Sequence, residues 1–404
     1  MSDPLRDIQT RAGAEFVAFG PATEQAPASN PGTPSDSSPA SSPAAPPAAG
    51  AIEMVLGFGA YEAEYAAIRK GVGLMHLPQR GLLRFTGSDC KDFLHRMTTQ
   101  DIRGLTGGRT CRAMQLNVKG RIIADLIVHH GDVDTWLEAD SCDLPALQAL
   151  YEQRLFSEDV TIANITSERV VLALHGPQTP ALLRTLGGDA AVRPTDMPGT
   201  HHVIELAGRR MTAYRWDDCG SMGVRLAVPV DDAAAVYNAL AEALGGLDPQ
   251  VEGGVHRALT GRGIGWLAYN TARIEAGTPL YHVDFGPDSL PAETGLLDQA
   301  VSFTKGCYLG QEIVGRMKSQ GHPKRVLAGL RFPDSRLPLA GAQVFEEGRI
   351  VGAVTSSALC PLLGNTAAGL AMMAWAQHQP GTLLTVPAEG QLVAASVQGL
   401  RLMP

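Results

Sequence analysis

Lys305-Gly306-Cys307-Tyr308-Leu309-Gly310-Gln311-Glu312 sets a thiol, an amine, a phenol and a carboxylate around two glycines, where a loop turns into a helix. Cys307 stands after Lys305 and about three residues before the expected helix start. A neighbouring ammonium and a helix N-terminus both favour thiolate over thiol, so Cys307 is expected to be the most nucleophilic of the six cysteines. From the residues alone two readings stand side by side: a reactive thiol facing a cleft, or a small buried side chain.

Upstream of the octet, residues 266–276 read as an amphipathic helix stopped by Gly277 and Pro279. Downstream, from Arg325, the helix signal fades into short apolar runs at 326–332, 348–357, 369–374, 383–386 and 393–397, punctuated by Gly and Pro. These predict a small β-barrel over 325–404. Further upstream, 112–118 and 122–129 are strands joined by a turn at Lys119-Gly120, with a third at 134–138. Helices are expected at 60–70, after an N-cap at Ser88-Asp89, and at 144–155. A second set of strands (170–174, 203–206, 211–216, 224–228) and helices marks an inner lobe at about 166–250. The fold class is therefore α+β: two α+β lobes over 51–324, then the barrel.

Residues 15–19 read as a strand, so 1–20 begins the first domain. Residues 21–50 stand apart: 8 Pro, 8 Ala and 6 Ser in 30 residues cannot bury enough apolar surface to offset ordering, which predicts a disordered insertion. A formal charge of -8 argues against a dedicated nucleic-acid binder. There is no Cys-x-x-Cys pair and no His/Cys ligand spacing, so no metal site is expected. Scattered cysteines, no apolar run of membrane-spanning length and no secretory leader point to a cytoplasmic chain without a membrane partner.

Asp125 is conspicuous inside the apolar run Ile122-Ile123-Ala124-Asp125-Leu126-Ile127-Val128, because a buried carboxylate needs a specific partner. Either a ligand or an arginine such as Arg121 supplies it. Asn117 either touches ligand or ends its strand. Arg273 and Glu275 share a helix and organise its packing, with Arg273 also able to meet an anionic ligand tail. Lys305 and Glu312 either tune the thiol and loop or form surface pairs. Tyr308 packs with a polar tip. His129 and His130 read as edge residues of their strand.

Two stretches resemble the folate-binding fold of the glycine-cleavage T-protein, an aminomethyltransferase family. One runs from Tyr61 through Val128 and includes Arg69-Lys70-Gly71-Val72-Gly73-Leu74 and Asn117-Val118-Lys119-Gly120-Arg121; the other is Arg273-Ile274-Glu275-Ala276-Gly277-Thr278-Pro279-Leu280-Tyr281. Within that superfamily the octet resembles the K-G-C-Y-x-G-Q-E signature of YgfZ-type folate-binding proteins. The resemblance implies tetrahydrofolate as cofactor, held centrally, and iron–sulfur client proteins as partners, including enzymes that modify tRNA. It makes Cys307 and Lys305 the candidate catalytic groups, and Asn117, Asp125, Arg273, Tyr308, Gln311 and Glu312 the candidate folate contacts.

The chain departs from the T-protein pattern at four places. Ala124-Asp125 replaces an Asp-Asp pair; Cys219-Gly220-Ser221-Met222-Gly223-Val224-Arg225 replaces T-G-E-x-G-[YF]-E, with Ser221 at the folate-contacting glutamate. Tyr269 replaces the first of two arginines, and Pro78-Gln79-Arg80 replaces Ser-His-Met. Three readings follow: a folate-binding accessory protein for iron–sulfur enzymes, which the octet favours; a folate-dependent aminomethyltransferase; and a scaffold that kept the fold and lost the ligand. Whether the chain is an enzyme stays open at this point.

Overall fold

The computed structural model describes residues 3–19, 52–245 and 260–403. The disorder expected for 21–50 falls outside them. Strands Glu15–Phe19 and Ile52–Gly57 on either side of that stretch pair antiparallel to each other.

The first lobe is a five-stranded antiparallel sheet in the order Arg109–Leu116, Ile122–His130, Thr135–Asp140, Arg80–Thr86, Thr161–Asn164. Strand alternation sends Ala124, Leu126 and Val128 to one face. There they are fully buried under Phe93 and Leu94 of helix Cys90–Met97 and Leu144, Leu147 and Tyr151 of helix Leu144–Glu152. Asp89 occupies the N-cap of the first helix without capping it. Its Oδ2 accepts instead from the Asp159 N–H at 2.8 Å, tying the helix start to the edge of the sheet.

The second lobe is a six-stranded sheet in the order His201–Leu206, Arg209–Arg215, Gly223–Pro229, Arg169–His175, Val72–His76, Gly261–Gly263. Helices Thr179–Gly187 and Val230–Ala243 cover one face through Leu182, Leu183, Val236, Tyr237 and Leu240. This lobe is not the contiguous stretch expected at 166–250, because Val72–His76 and Gly261–Gly263 enter it from outside. Every residue of Val72–His76 is buried, so it lacks the alternation that marks a half-exposed strand. The remaining faces of the two sheets meet each other, with Leu82 and Ile165 packed on Ala227.

The C-terminal unit is a closed barrel of six strands: Arg325–Arg331, Thr366–Ala374, Arg349–Cys360, Gln343–Glu346, Leu383–Ala388 and Gln391–Gln398. The four-residue strand Gln343–Glu346 is the one the sequence pattern did not mark. Helix Trp266–Ala276 fastens the barrel to the lobes through two buried ion pairs. Arg69 pairs with Glu275 at 2.5 Å; Glu275 also accepts from the Tyr65 hydroxyl at 2.6 Å and, from the barrel side, the Leu362 N–H at 3.0 Å. Arg273 pairs with Asp284, whose other oxygen accepts from Thr355 Oγ1 at 2.7 Å and Ser356 Oγ at 2.6 Å, both on a barrel strand. Removing one member of a buried pair leaves the other charge desolvated. Glu275→Gln should therefore cost roughly 3 kcal/mol of stability, read as a lowered urea midpoint. An unchanged midpoint would show that the pair does not hold the barrel.

Candidate functional site

The octet is clipped down on both sides of Cys307. Upstream, the Lys305 ammonium, buried to 9% exposure, donates to the backbone carbonyls of His95, Thr98 (2.6 Å) and Gln100 (2.9 Å). These lie at and just beyond the C-terminal end of helix Cys90–Met97, where a cation suits the unsatisfied carbonyls. Burial lowers the Lys305 pKa to about 8, against the opposing pull of Asp101. Downstream, Tyr308 is buried among Met114, Leu116, Ile122 and Tyr281, with the Lys305 ammonium 5.0 Å from its ring centre. Cys307 lies between these anchors and is exposed.

The octet also interlocks with the hairpin turn after Asn117. Gly310 has φ +81 at the N-cap of helix Gln311–Gln320, and a Cβ there would lie 2.6 Å from the Asn117 carbonyl oxygen. Gly120 has φ +70, and a Cβ there would lie 2.8 Å from Ile313 Cβ. Both positions need glycine on conformational and steric grounds.

Several sequence expectations change here. The Lys305 ammonium is turned inward onto three carbonyls, which match its three donors, and does not serve as a partner for the Cys307 thiol. Asn117 Oδ1 accepts from the N–H groups of Lys119 (2.9 Å) and Arg121 (3.1 Å), so its side chain builds the turn. Arg273 is fully buried, and its guanidinium spends four of its five N–H donors on Asp284, Asn270 and the Thr278 carbonyl, so it is not presented to a folate tail. Glu312 is exposed and pairs with Arg316 one helical turn on. Gln311 is half-buried and opens its helix. Asp125 finds its arginine in Arg112 on the neighbouring strand, not Arg121, through two parallel bonds of 2.9 and 2.5 Å. Its carboxylate keeps spare acceptor sites and is 14% exposed.

Asp125 borders a charged seam between the two sheets that sequence reading did not anticipate. At its centre, Glu138 accepts from Arg80 Nε (2.9 Å), Arg225 Nη1 (2.6 Å) and the Tyr214 hydroxyl. Arg80 continues to Asp140 at 2.8 Å and Arg225 to Asp218 at 2.7 Å. His129 is buried in this seam, not at an edge, with Nδ1 3.0 Å from Thr110 Oγ1 and Nε2 3.9 Å from Glu138. The Arg112 and Arg225 guanidiniums lie 5.8 and 5.5 Å from the Trp216 ring centre. His129 Nε2, Arg225 Nε and both ring nitrogens of His175 are buried without a hydrogen-bond partner among the described residues. One signal could have found this seam: Arg225 stands where the T-protein motif ends in glutamate, a reversal of charge that demands a carboxylate opposite.

Two clefts flank the lobes. One of about 900 Å³ is lined by Asp3, Arg6, His76, Arg80, Ser167 and Arg169; one of about 330 Å³ is lined by His129, Asp132, Trp136, His201 and Val203. The octet lines neither of them. No helix among the described residues is long and apolar enough to cross a membrane.

Two predictions follow from burial. Burial pushes Cys90 up to about 11 and Cys111 and Cys360 up to about 12, and it raises Cys219 as well, whereas Cys142 and Cys307 are exposed. In the native, chelator-treated chain two thiols should react quickly with a maleimide, and all six after unfolding. Cys307→Ser should leave one, and a third fast thiol would contradict the packing. Burial also lowers the His175 pKa to about 4, from an ordinary value near 6.5. The unfolded chain then binds the proton more readily, so stability is lost as pH falls from about 6.5 toward 4. Between about pH 7 and pH 5 the loss should be roughly 2 kcal/mol from this residue. Urea midpoints at the two pH values should converge in His175→Leu; an unchanged difference would place the acid sensitivity elsewhere.

Comparison with known proteins adds the following. The GCVT N-terminal domain matches residues 7–305, and the glycine cleavage T-protein C-terminal barrel domain matches 325–402. An aminomethyltransferase of Bacillus subtilis (strain 168) is 27% identical over 348 residues, covering 86% of this chain and 92% of that protein. One from Synechococcus sp. (strain WH7803) is 29% identical over 361 residues, covering 85% and 91%. The crystal structure of glycine cleavage system aminomethyltransferase T from Bartonella henselae superposes with a TM-score of 0.79 at 24% identity, covering 100% of this chain and 98% of that one. A likeness at that identity shows a shared fold.

Proposed function

The chain belongs to the glycine-cleavage T-protein family, whose aminomethyltransferases use tetrahydrofolate, and we propose that it binds a tetrahydrofolate between its lobes and presents Cys307 to a protein client. The observation that carries this reading is the placement of Cys307: an exposed thiol on a loop pinned on one side by Lys305 and on the other by Tyr308. A rigidly presented thiol suits a transient bond to a partner: a mixed disulfide, formed by attack on a client disulfide with release of its second thiolate, or one ligand of a cluster shared with it. The clients proposed are iron–sulfur enzymes, including tRNA-modifying ones, on the strength of the YgfZ-type octet.

The seam has the chemistry a pterin needs. Asp125, oriented by Arg112, would accept from the pterin's amidine-like donor edge with its spare lone pairs. The unpaired Arg225 Nε and His175 nitrogens supply buried polar groups in the same seam. Tetrahydrofolate would supply a carrier for a one-carbon unit; Arg112 would hold the Asp125 carboxylate in place.

Aminomethyl transfer is the second reading, and the relatives favour it, since they carry that name over 82–87% of this chain. Against it stand the site's own residues: Ser221 donates to the Ile68 carbonyl at 3.3 Å, and Arg80 and Arg225 are locked on Glu138. A strain lacking the gene separates the two. Wild type should restore a [4Fe–4S] enzyme activity that Cys307→Ala does not, with glycine-cleavage flux unchanged throughout. Lost glycine cleavage with intact cluster enzymes would overturn the accessory role and establish aminomethyl transfer. A titration of the purified chain with tetrahydrofolate that shows no binding would leave the scaffold reading.

A further inference from the structure

The turn before helix Leu144–Glu152 brings Cys142 and Asp143 against His282, 140 and 139 residues further along the chain. Cys142 Sγ lies 3.9 Å from His282 Nε2 and 3.9 Å from Asp143 Oδ1; both Asp143 oxygens lie within 3.0 Å of the same Nε2. All three donor atoms fall within 4.8 Å of one another. Because the ligands come from distant segments, no spacing motif could have announced them.

Two features show that the cluster is aimed at this point. Asp143 occupies the N-cap of its helix, where a carboxylate usually accepts a backbone N–H, yet it makes no capping bond and faces His282 instead. His282 adopts φ +64, a conformation few non-glycine residues take, with its ring 4.2 Å from that of Tyr281. The Tyr281 hydroxyl donates to the Ile123 carbonyl at 2.8 Å, so the cluster adjoins the strand that carries Asp125. His282 and Asp143 are mostly buried, at 11% and 18% side-chain exposure, while Cys142 is open to solvent.

We propose that Cys142, Asp143 and His282 form a three-ligand site for Zn²⁺, with its fourth position open. A thiolate, an imidazole and a carboxylate together suit a borderline-soft cation and disfavour Mg²⁺ and Ca²⁺. Tetrahedral zinc at ordinary bond lengths separates sulfur and nitrogen ligands by about 3.6 Å, and nitrogen and oxygen by about 3.3 Å. The cluster therefore needs only a small inward swing of the exposed thiol and a slight opening of the His282–Asp143 contact. Zinc displaces the Nε2 proton of His282 and the thiol proton of Cys142, and both leave to solvent. This site uses none of the octet and stands independently of the folate reading.

The test uses the full chain stripped with a chelator and titrated with Co²⁺, which reports a thiolate ligand by near-ultraviolet charge transfer and tetrahedral geometry by visible bands. One equivalent should bind with both signals, and one equivalent of Zn²⁺ should displace it. Cys142→Ser should abolish the charge-transfer band. His282→Gly, in which glycine accepts the positive φ, should weaken binding at least tenfold, with circular dichroism confirming that the variant is folded. Cys307→Ser should keep the signal unchanged. Zinc should also protect one of the two fast-reacting thiols from a maleimide. Absence of the charge-transfer band, its persistence in Cys142→Ser, or undiminished binding by a folded His282→Gly chain would overturn the site.

Discussion

The carboxylate of Glu138 holds the two sheets of this protein against each other. It takes Arg80 from its own sheet and Arg225 and Tyr214 from the other, in a seam where all four side chains are largely out of water. Burial alone would raise its pKa; the guanidiniums of Arg225 and Arg80, with His129, outweigh that and hold it well below the usual carboxylate range. A lattice of this kind adds little net stability over a well-packed apolar seam, but it is unforgiving of misplacement. The bridging of Glu138 and Asp218 by one guanidinium therefore fixes how the lobes sit relative to each other.

That constraint bears directly on function. Three of the positions where the chain leaves the T-protein pattern converge on this seam. Arg80 replaces the methionine of Ser-His-Met, Arg225 replaces the closing glutamate, and Tyr269, in place of an arginine, packs 5.5 Å from His175. The two guanidiniums are like charges, and the carboxylates of Glu138, Asp140 and Asp218 hold them side by side. The seam is thus ordered around two guanidiniums, and its carboxylates are committed to them. Asp125 stays at the border of the lattice, held by a separate arginine.

Much of the fold was readable from local pattern. The helix Trp266–Ala276 was legible because its apolar period ends at Gly277 and Pro279, and the hairpin around Lys119-Gly120 because alternation and turn residues agree. What escaped were elements without a period: Val72–His76, buried on both faces, and Gln343–Glu346, too short to show one. The candidate site could be anticipated where one residue stood out from its local pattern, as the exposed Cys307 and the arginine-paired Asp125 did. It was illegible where meaning lies in pairing across the chain. Arg80 and Arg225 reach Glu138 over 58 and 87 positions, and neither shows locally that its charge is buried. Lys305 misled for a related reason: proximity in sequence to Cys307 counted for less than three carbonyls at a helix end.

The interlocked glycines join these parts. Gly120 ends the turn that launches the strand of Asp125, and it packs on Ile313 in the helix that the octet opens. Gly310 closes on the Asn117 carbonyl from the other side. Neither can acquire a side chain without pushing hairpin and octet apart. The Asp125 carboxylate and the Cys307 thiol thus belong to one rigid assembly, although the thiol faces solvent and the carboxylate borders the seam. An interior ligand at Asp125 and an exterior client at Cys307 could then be served at once, with neither site needing to open for the other.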